Sequence, residues 1–353
     1  MGEAGLSSKS IWVLCGPKAG DNAQMLALAT AVGEHVVRRL QFRGTELLTN
    51  LLLRVTLAGV DRARSDALDP PWPDLVITAG RRNEPVARWL RRASGGRTRL
   101  VHVGRPWTSP STFDLVVTTP QYFVPEAANV LTLPLPLHGI TPARLDAAAA
   151  HWAPRLAHLP RPWTAVLVGG DSGPYRLTPA RAARLGRDLR AAFPEGSLLV
   201  TTSSRTPAAS VDALRAEIHR LPQHLFDWHR HDRADNPYLG YLALADRFVV
   251  TAESASMLAE ASSMGRPLWM FDLAGPPAEP FGALRWKPLT FALAQHLAPR
   301  RLRRDVGRLH AHLLDSGSAA WLGSPAPGGA RQGADHAADG LALAAARVRA
   351  LLA

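Results

Sequence analysis

The segment Thr251–Pro267, TAESASMLAEASSMGRP, contains the clearest chemical pattern and follows the apolar run RFVV. The pattern predicts a strand, a small polar turn and then a short helix that begins near Ser256. We expect Glu253 and Ser254 to cap this helix, because a side-chain oxygen at the cap accepts a hydrogen bond from an unpaired amide. The remaining amides of the first turn and the helix dipole would then attract an anion such as a phosphate group.

Glu260 lies four residues after Ser256, one helical turn further along the same face. A carboxylate at this distance behind a phosphate site can accept hydrogen bonds from both hydroxyls of a ribose. The hydroxyls of Ser254 and Ser256 and the amide of Met257 complete the predicted phosphate contacts. The segment therefore favours a nucleoside diphosphate as its ligand, and a capped helix with a solvated glutamate is the alternative.

Other polar turns in the same half of the chain follow predicted strands and supply further candidate substrate contacts. They are GGDSGPY (169–175), TTSSRT (201–206) and NPY (236–238), with the candidates Gly169, Gly170, Ser172, Ser203, Arg205, Thr206, Asn236 and Tyr238. Arg205 can pair with a diphosphate through two parallel hydrogen bonds. A tight turn at the glycines and a helix cap at Thr206 are the structural alternatives. The histidines of DWHRHDRAD lack a tetrahedral spacing, so no metal is predicted.

The N-terminal half contains three comparable turns, GPKAGDNAQ (16–24), GRRN (80–83) and VHVGRP (101–106). They provide the binding candidates Gly20, Asn22, Gln24, Arg81 and Arg82 and the candidate catalytic bases Asp21 and His102. A general base must lie within hydrogen-bond reach of the group that it deprotonates. The alternatives are helix capping by Asp21 or Asn22, solvated arginines, and a histidine with only a structural role.

Short apolar runs alternate with helix-length amphipathic segments along most of the chain. The runs include IWVLC, LVIT, RLVHV and FDLVVTT in the first half and AVLVGG, SLLVTT and RFVVT in the second. Continuous apolar runs of this kind predict parallel strands that are covered on both faces. We therefore predict an α/β protein with two Rossmann-like parallel-sheet domains that face each other across a cleft. The expected domains span 1–150 and 160–315, and 316–353 form a linker and a C-terminal helix that packs back.

The composition is that of a folded protein, with 353 residues, 46% hydrophobic residues and a net charge of +12. No apolar run approaches the roughly 18 residues of a membrane span, and no signal peptide is expected. The single cysteine, Cys15, excludes an internal disulfide and favours a reducing cytoplasm.

The basic charge indicates either a solvated surface or contact with anionic partners, including the surface of an inner membrane. Nucleic acid is not a predicted partner, since no basic helix carries interleaved aromatic residues.

Several longer segments, which include GDNAQ, LVITAGRRNEPVAR, NVLTLPLPLHGIT, VLVGGDSGPYRLTP, LLVTTSSRTP and VVTAESASMLAEA, occur in order within residues 11–275. In these segments the chain resembles the mitochondrial-fission Elm1-like family of bacterial and plant proteins. The part SASMLAEASSMGRP also resembles the donor-site segment of GT-B glycosyltransferases such as MurG, in which a Glu holds the ribose. Glu260 matches that residue in its spacing to Gly265 and Pro267. The resemblance implies a GT-B-like fold, with the donor in the C-terminal domain and the acceptor in the N-terminal domain.

Three functions are compatible with this resemblance and with the candidate residues. The first is a metal-independent glycosyltransferase that moves a sugar from a nucleotide-diphosphate sugar to an acceptor such as a cell-envelope glycan. The second is a non-catalytic, membrane-associated adaptor with a vestigial nucleotide pocket, as the plant members imply. The third is a sugar-nucleotide epimerase.

A dehydrogenase is disfavoured because VLCGPKAGDNAQ lacks the G-x-G-x-x-G pattern, and no cofactor is expected. The Arg- and Ala-rich composition indicates a bacterial protein. We expect a cytoplasmic location, with peripheral contact at the inner membrane as the alternative to a protein free in the cytoplasm.

Overall fold

A computed structural model describes residues 9–44, 54–172, 175–273, 297, 303–328 and 330–353 of the chain. These residues divide into two compact units. Unit 1 comprises the described residues up to Gly139 together with Asp339–Ala353, and unit 2 comprises the described residues between Ile140 and Ala338. Each unit is built around a parallel β-sheet.

Unit 1 contains a sheet of six parallel strands, counted over the described residues, in the order β2-β1-β3-β4-β5-β6. The strands are β1 (Ile11–Cys15), β2 (Val36–Arg39), β3 (Leu75–Ala79), β4 (Arg99–Val103), β5 (Leu115–Thr118) and β6 (Val130–Thr132). Its helices include α1 (Ala19–Val32) and α2 (Gly80–Ala93). Every residue of β1, β3 and β5 is buried, because helices cover both faces of a parallel sheet.

Unit 2 contains the second parallel sheet, in the order β12-β11-β10-β7-β8-β9. Its strands are β7 (Trp163–Val168), β8 (Ser197–Thr202), β9 (Gln223–Phe226), β10 (Arg247–Thr251), β11 (Leu268–Phe271) and β12 (Ala320–Trp321). Its helices include α3 (Pro142–Leu156), α4 (Pro179–Ala192), α5 (Ala208–Ile218), α6 (Tyr238–Leu244), α7 (Ala255–Ser262) and α8 (Gly307–Asp315).

The last helix, α9 (Ala330–Leu352), belongs to unit 1 from Asp339 onward. Ala344 and Val348 of this helix are buried in the same apolar cluster as Leu28 of α1. No helix in the described part of the chain, α9 included, combines the length and the apolar composition that a membrane span requires.

Helices α1 and α2 pack on opposite faces of the unit 1 sheet. Since side chains alternate along β1, this strand contributes residues to both faces. Ile11 and Val13 belong to the cluster that contains α1, whereas Trp12 and Leu14 belong to the cluster that contains α2. Helices α1 and α2, which follow the neighbouring strands β1 and β3, therefore lie on opposite sides of the sheet.

The starts of two unit 2 helices are determined locally by Thr-Pro pairs. Thr141 Oγ1 accepts a hydrogen bond from the amide of Arg144 (3.4 Å), and Thr178 Oγ1 accepts one from the amide of Arg181 (3.4 Å). The following proline has no amide hydrogen to leave unpaired, so it suits the first helical position. These pairs begin α3 and α4.

The strand order reverses once in each sheet, beside β1 in unit 1 and beside β7 in unit 2. Strands β2 and β3 flank β1, and strands β8 and β10 flank β7. Such reversals open a crevice at the carboxyl ends of the strands, where ligands of open α/β sheets bind. The prediction of an α/β protein with two Rossmann-like parallel sheets is confirmed.

Two helical glycines provide a matched test of the packing. An added Cβ at Gly240 of α6 would approach the Cβ of Trp152 in α3 to 2.8 Å, whereas at Gly340 of α9 the nearest atoms, in Leu133, are 3.7 Å away. We expect Gly240→Ala to destabilise the protein by about 1–3 kcal/mol through overpacking. Gly340→Ala should stabilise it by about 0.5–1 kcal/mol, because alanine has the higher helix propensity. Thermal unfolding followed by circular dichroism measures both effects, and equal destabilisation would contradict this account.

Candidate functional site

The side chain of Glu253 joins the loops after β7 and β10, at the reversal point of the unit 2 sheet. The amide of Gly170 donates to Glu253 Oε1 at 2.6 Å, and the amide of Gly169 donates to Thr251 Oγ1 at 2.8 Å. A Cβ atom at Gly169 would overlap Glu253 Oε1. Glycine is therefore required here because a buried carboxylate packs directly against the backbone.

The loop after β8 closes against the same glycine turn. Gly170 has φ +139°, and a Cβ atom there would overlap the carbonyl oxygen of Arg205. Ser203 Oγ and Thr206 Oγ1 both donate to the carbonyl of Gly169, the latter at 2.6 Å. The predicted contacts Gly169, Gly170, Ser203 and Thr206 thus lie together, and their polar groups hold the turn itself.

Arg205 places a guanidinium group at this corner of unit 2. Its Nη2 donates to Ser254 Oγ at 3.5 Å and its Nη1 donates to the carbonyl of Asp171 at 3.2 Å. The guanidinium lies 3.9 Å from Glu253 Oε1, and 39% of the Arg205 side chain is exposed. Ser172, another predicted contact, directly follows Asp171 in the sequence. Its Oγ accepts a hydrogen bond from Arg304 Nη1 at 3.1 Å.

The first turn of α7 begins beside this guanidinium group. Ser254 is the N-cap residue but makes no side-chain capping hydrogen bond, and the carboxylate of Glu253 is directed to the β7 loop. The predicted capping of this helix by Glu253 and Ser254 is wrong, because both side chains form contacts between loops. Ser256 and Met257 are partly exposed, so solvent reaches this turn.

The carboxyl group of Glu253 is buried, and burial disfavours its charged form. Burial raises the pKa of Glu253 to about 7, while the charge of Arg205 and the hydrogen bond from Gly170 act in the opposite direction. Among the described residues, Glu253 Oε2 has no hydrogen-bond partner. This carboxyl group can therefore change its charge near neutral pH.

Glu260 lies one turn further along α7 and is held by Tyr238. The tyrosine hydroxyl donates to Glu260 Oε2, and Asn236 Oδ1 fixes the turn by accepting from the amide of Tyr238 at 3.0 Å. Burial raises the pKa of Glu260 to about 7, against the hydrogen bond from Tyr238 and the charge of Arg144. The structure thus brings the predicted residues Asn236, Tyr238 and Glu260 together, and it adds Arg144.

Unit 1 contains a cavity of about 320 Å³ at the carboxyl ends of β1, β3 and β4. The predicted residues Asp21, Asn22, Arg81 and Arg82 all line it. The predicted contacts Gly20 and Gln24 are not part of its lining, and Gln24 Nε2 donates instead to the carbonyl of Gly20 (3.5 Å).

Asn22 closes the loop between β1 and α1. Its Oδ1 accepts from the amide of Gly16 at 3.0 Å, and its Nδ2 donates to the carbonyl of Gly16 at 2.7 Å. The N-cap residue of α1 is Lys18, which makes no side-chain capping hydrogen bond, and Asp21 forms an ion pair with Lys18 at 3.6 Å. The structural alternative, in which Asp21 or Asn22 caps this helix, is therefore wrong.

His102 lies inside β4 and is fully buried. Its ring centroid is 4.8 Å from that of Phe113, and within the described residues neither ring nitrogen has a hydrogen-bond partner. Burial lowers the pKa of His102 to about 3, so the ring is neutral. We drop His102 as a candidate base, because a buried ring cannot reach an acceptor hydroxyl, and Asp21 stays the candidate.

Sequence reasoning missed several further residues of the unit 1 cavity, among them Lys18 and Arg105. Asn83, Trp107 and Tyr122 line it, and each follows the end of a strand, which is the signal that could have identified them. Glu84 fixes the loop after β4 by accepting from the amides of Trp107 (2.8 Å) and Thr108 (2.9 Å). Across the described residues, no three or more His, Cys, Asp or Glu side chains gather as they would around a metal ion.

The raised pKa of Glu253 predicts a pH-dependent stability. The folded protein binds the proton more tightly than the unfolded chain, so stability falls as pH rises from about 4.5 to 7. We expect the wild type to lose about 2 kcal/mol more stability between pH 5 and pH 8 than Glu253→Gln, which keeps a neutral side chain. Urea unfolding at several pH values measures the difference, and Asp212→Asn, at an exposed site, is the control. Parallel pH profiles for wild type and Glu253→Gln would contradict the assignment.

The sequence matches the family described as Mitochondrial fission ELM1 over residues 19–320. The mitochondrial fission protein ELM1 of Arabidopsis thaliana is 27% identical over 242 residues, which cover 62% of this chain. The match spans 56% of the length of the Arabidopsis protein.

Two solved structures are similar over nearly the whole chain. MurG of Acinetobacter baumannii is 14% identical, with 97% of this chain and 98% of that chain covered and a TM-score of 0.46. UDP-GlcNAc 2-epimerase from Neisseria meningitidis, bound to UDP-GlcNAc, is 10% identical, with 97% and 99% covered and a TM-score of 0.49. Because the family match extends over most of the sequence and into both units, the chain belongs to the mitochondrial fission ELM1 family.

Proposed function

We propose that unit 2 binds the diphosphate and the ribose of a nucleotide-diphosphate sugar and that the protein transfers the sugar to an acceptor. The observation that carries this proposal is the hydrogen bond from Arg205 Nη2 to Ser254 Oγ. It holds a guanidinium group at the N-terminus of α7, on the helix that carries Glu260 six residues further along. The cation and the helix N-terminus would bind the diphosphate, and the carboxylate further along the helix would bind the ribose that is attached to it.

Arg205 would stabilise the leaving diphosphate. Glu253 and the carbonyl of Asp171 hold its guanidinium in place, while part of the side chain faces solvent. When the glycosidic bond breaks, negative charge develops on the diphosphate, and a fixed cation at a helix N-terminus stabilises that charge. This preorganised charge lowers the barrier of the transfer step.

Glu260 would hold the ribose. Its carboxylate is partly buried, and the Tyr238 hydroxyl, which donates to Oε2, fixes its orientation. A ribose hydroxyl that donates to this carboxylate forms a charge-assisted hydrogen bond in a site with limited water, so the bond is stronger than one at an open surface. The contact favours ribonucleotides over bare diphosphates.

The chemical step is the attack of an acceptor hydroxyl on the anomeric carbon of the donor sugar. A carbon–oxygen bond to the acceptor forms, and the bond between the anomeric carbon and the diphosphate breaks. The diphosphate leaves with the bonding electrons, and the hydroxyl proton passes to a base. Asp21 of unit 1 is our candidate for that base, and unit 1 is our candidate acceptor-binding unit.

A non-catalytic adaptor is the second candidate function, and one observation favours it. In the turn after β7, the amide of Gly170 and the hydroxyls of Ser203 and Thr206 are bonded to the chain itself. Polar groups that hold the fold in this way are not available to a phosphate without loss of those bonds. In that case Arg205 and Glu260 would be structural residues of a protein that acts by binding a partner.

Titration calorimetry with UDP-, GDP-, ADP- and CMP-sugars and with pyrophosphate tests the donor site. We expect one nucleotide class to bind. Arg205→Gln should weaken both the nucleotide sugar and pyrophosphate by about 10- to 100-fold, because a hydrogen bond to a charged group contributes about 1.5–3 kcal/mol. Glu260→Gln should weaken the nucleotide sugar only, because pyrophosphate has no ribose.

Arg187→Gln is the matched control, since Arg187 is 51% exposed and pairs with Glu217 on another helix (3.1 Å). It should leave every affinity unchanged. If no nucleotide class binds, or if binding is insensitive to Arg205→Gln and Glu260→Gln, the adaptor is the better account. Conversion of the donor in the absence of any acceptor would assign an epimerase or a hydrolase instead.

A further inference from the structure

The cavity of unit 1, at the carboxyl ends of β1, β3 and β4, is strongly cationic. Its wall includes Lys18, Arg81, Arg82 and Arg105, against one carboxylate, that of Asp21. Among the residues that line this space of about 320 Å³, basic side chains thus outnumber acidic ones by four to one. A concave site with such an excess concentrates ligands of the opposite charge.

Two helix N-termini open on the same cavity. Lys18 is the N-cap of α1 and Ala79 is the N-cap of α2, and neither makes a side-chain capping hydrogen bond. Both residues line the cavity, as does Gly80 in the first turn of α2. The dipoles of two 14-residue helices therefore add to the charge of the arginines. Cationic side chains and helix amides in combination are typical of phosphate sites.

Asn83 adds a hydrogen-bond acceptor to this basic cavity. Its Nδ2 donates to the carbonyl of Leu14 at 2.7 Å, and this bond fixes the amide orientation because a carbonyl can only accept. The side chain is only 3% exposed and lines the cavity, and within the described residues its Oδ1 has no hydrogen-bond partner. A buried acceptor of this kind calls for a donor on the ligand, and a hydroxyl group is the simplest one.

The space next to Asn83 exists because residue 16 is a glycine. A Cβ atom at Gly16 would lie 3.1 Å from Asn83 Oδ1. Trp107 also lines the cavity, is 42% exposed, and donates its amide hydrogen to Glu84 Oε2. The exposed indole provides apolar surface against which the carbon–hydrogen face of a sugar ring can pack.

We infer that the unit 1 cavity binds a phosphate ester of a sugar or another polyol. The phosphate contacts the cationic wall, and a hydroxyl of the same molecule donates to Asn83 Oδ1. Binding itself does not depend on unit 2, whereas the role of this ligand as the acceptor rests on the transferase proposed above. Soluble sugar phosphates and phosphoinositide headgroups share this chemistry.

Calorimetry on the full chain with inorganic phosphate, glucose and glucose 6-phosphate tests the inference. We expect glucose 6-phosphate to bind about tenfold more tightly than phosphate, and glucose alone not to bind. Arg105→Gln should weaken both phosphorylated probes by about tenfold, since one charge-assisted contact is lost. Gly16→Ala should weaken glucose 6-phosphate by about fivefold and leave phosphate unchanged, because the added methyl group fills the space beside Asn83.

Two control variants separate this site from other cationic surfaces. Arg64→Gln removes the same charge at an 80% exposed position of unit 1 and should change neither affinity. Arg187→Gln removes one charge at a 51% exposed position of unit 2 that has no role in the proposed donor site, and it should also leave both affinities unchanged. Circular dichroism confirms that each variant is folded.

Vesicles of phosphatidylcholine with and without phosphatidylinositol 4-phosphate distinguish the two sources of the ligand. Retention on the phosphoinositide vesicles that is lost in Arg105→Gln and Gly16→Ala supports the inference and assigns a lipid headgroup. The inference is overturned if neither the soluble probes nor the vesicles bind. It is also overturned if binding is lost in Arg205→Gln but kept in Arg105→Gln, or if Gly16→Ala affects phosphate and glucose 6-phosphate equally.

Discussion

Every neighbouring pair of strands in the two sheets is parallel, and this constraint decides where ligands can bind. All strands of a parallel sheet end at the same edge, so the loops that follow them gather there. Where the strand order reverses, beside β1 and beside β7, the loops part and leave a crevice. In unit 1 the packing shows the cause, since Leu28 of α1 and Leu90 of α2 belong to clusters on opposite faces of the sheet. Both candidate sites lie at such a reversal.

The two crevices are built differently. In unit 1, Asn22 bonds both polar groups of Gly16, so this loop is stabilised within itself and the crevice stays open. In unit 2, Glu253 reaches from the loop after β10 to the amide of Gly170 after β7, so the loops stabilise each other. The buried carboxylate also lies 3.9 Å from Arg205. When Glu253 takes up a proton, it stops neutralising Arg205, and the attraction of Arg205 for an anion increases. Protonation of Glu253 would therefore be coupled to the anion binding that we propose for unit 2.

The proposed chemistry needs both kinds of crevice. A transfer reaction brings two polar molecules together, and each needs its own charges and its own donors and acceptors. Unit 2 provides a cation, a helix N-terminus and a carboxylate in a linear order, which suits a nucleotide-diphosphate sugar. Unit 1 provides several cations and one unpartnered amide oxygen, that of Asn83, which suits a phosphorylated polyol. An adaptor function would retain the same crevices, but the charge arrangement in them would then have no catalytic purpose.

The sequence by itself determined the fold class and the positions of the polar turns. Strands such as IWVLC and LVITA are apolar throughout because both faces are covered, and a residue beyond the strand end, such as Arg81 or Arg205, is automatically near the binding edge. Only the tertiary structure decided what each polar side chain contacts. Glu253 was predicted to cap its own helix, but it bonds a residue 83 positions away. His102 was predicted to stand at a strand end, but β4 continues through Val103 and buries the ring. The physical reason is that a hydrogen-bond partner or a covering helix comes from a distant part of the chain, whereas a strand is specified by its own apolar residues.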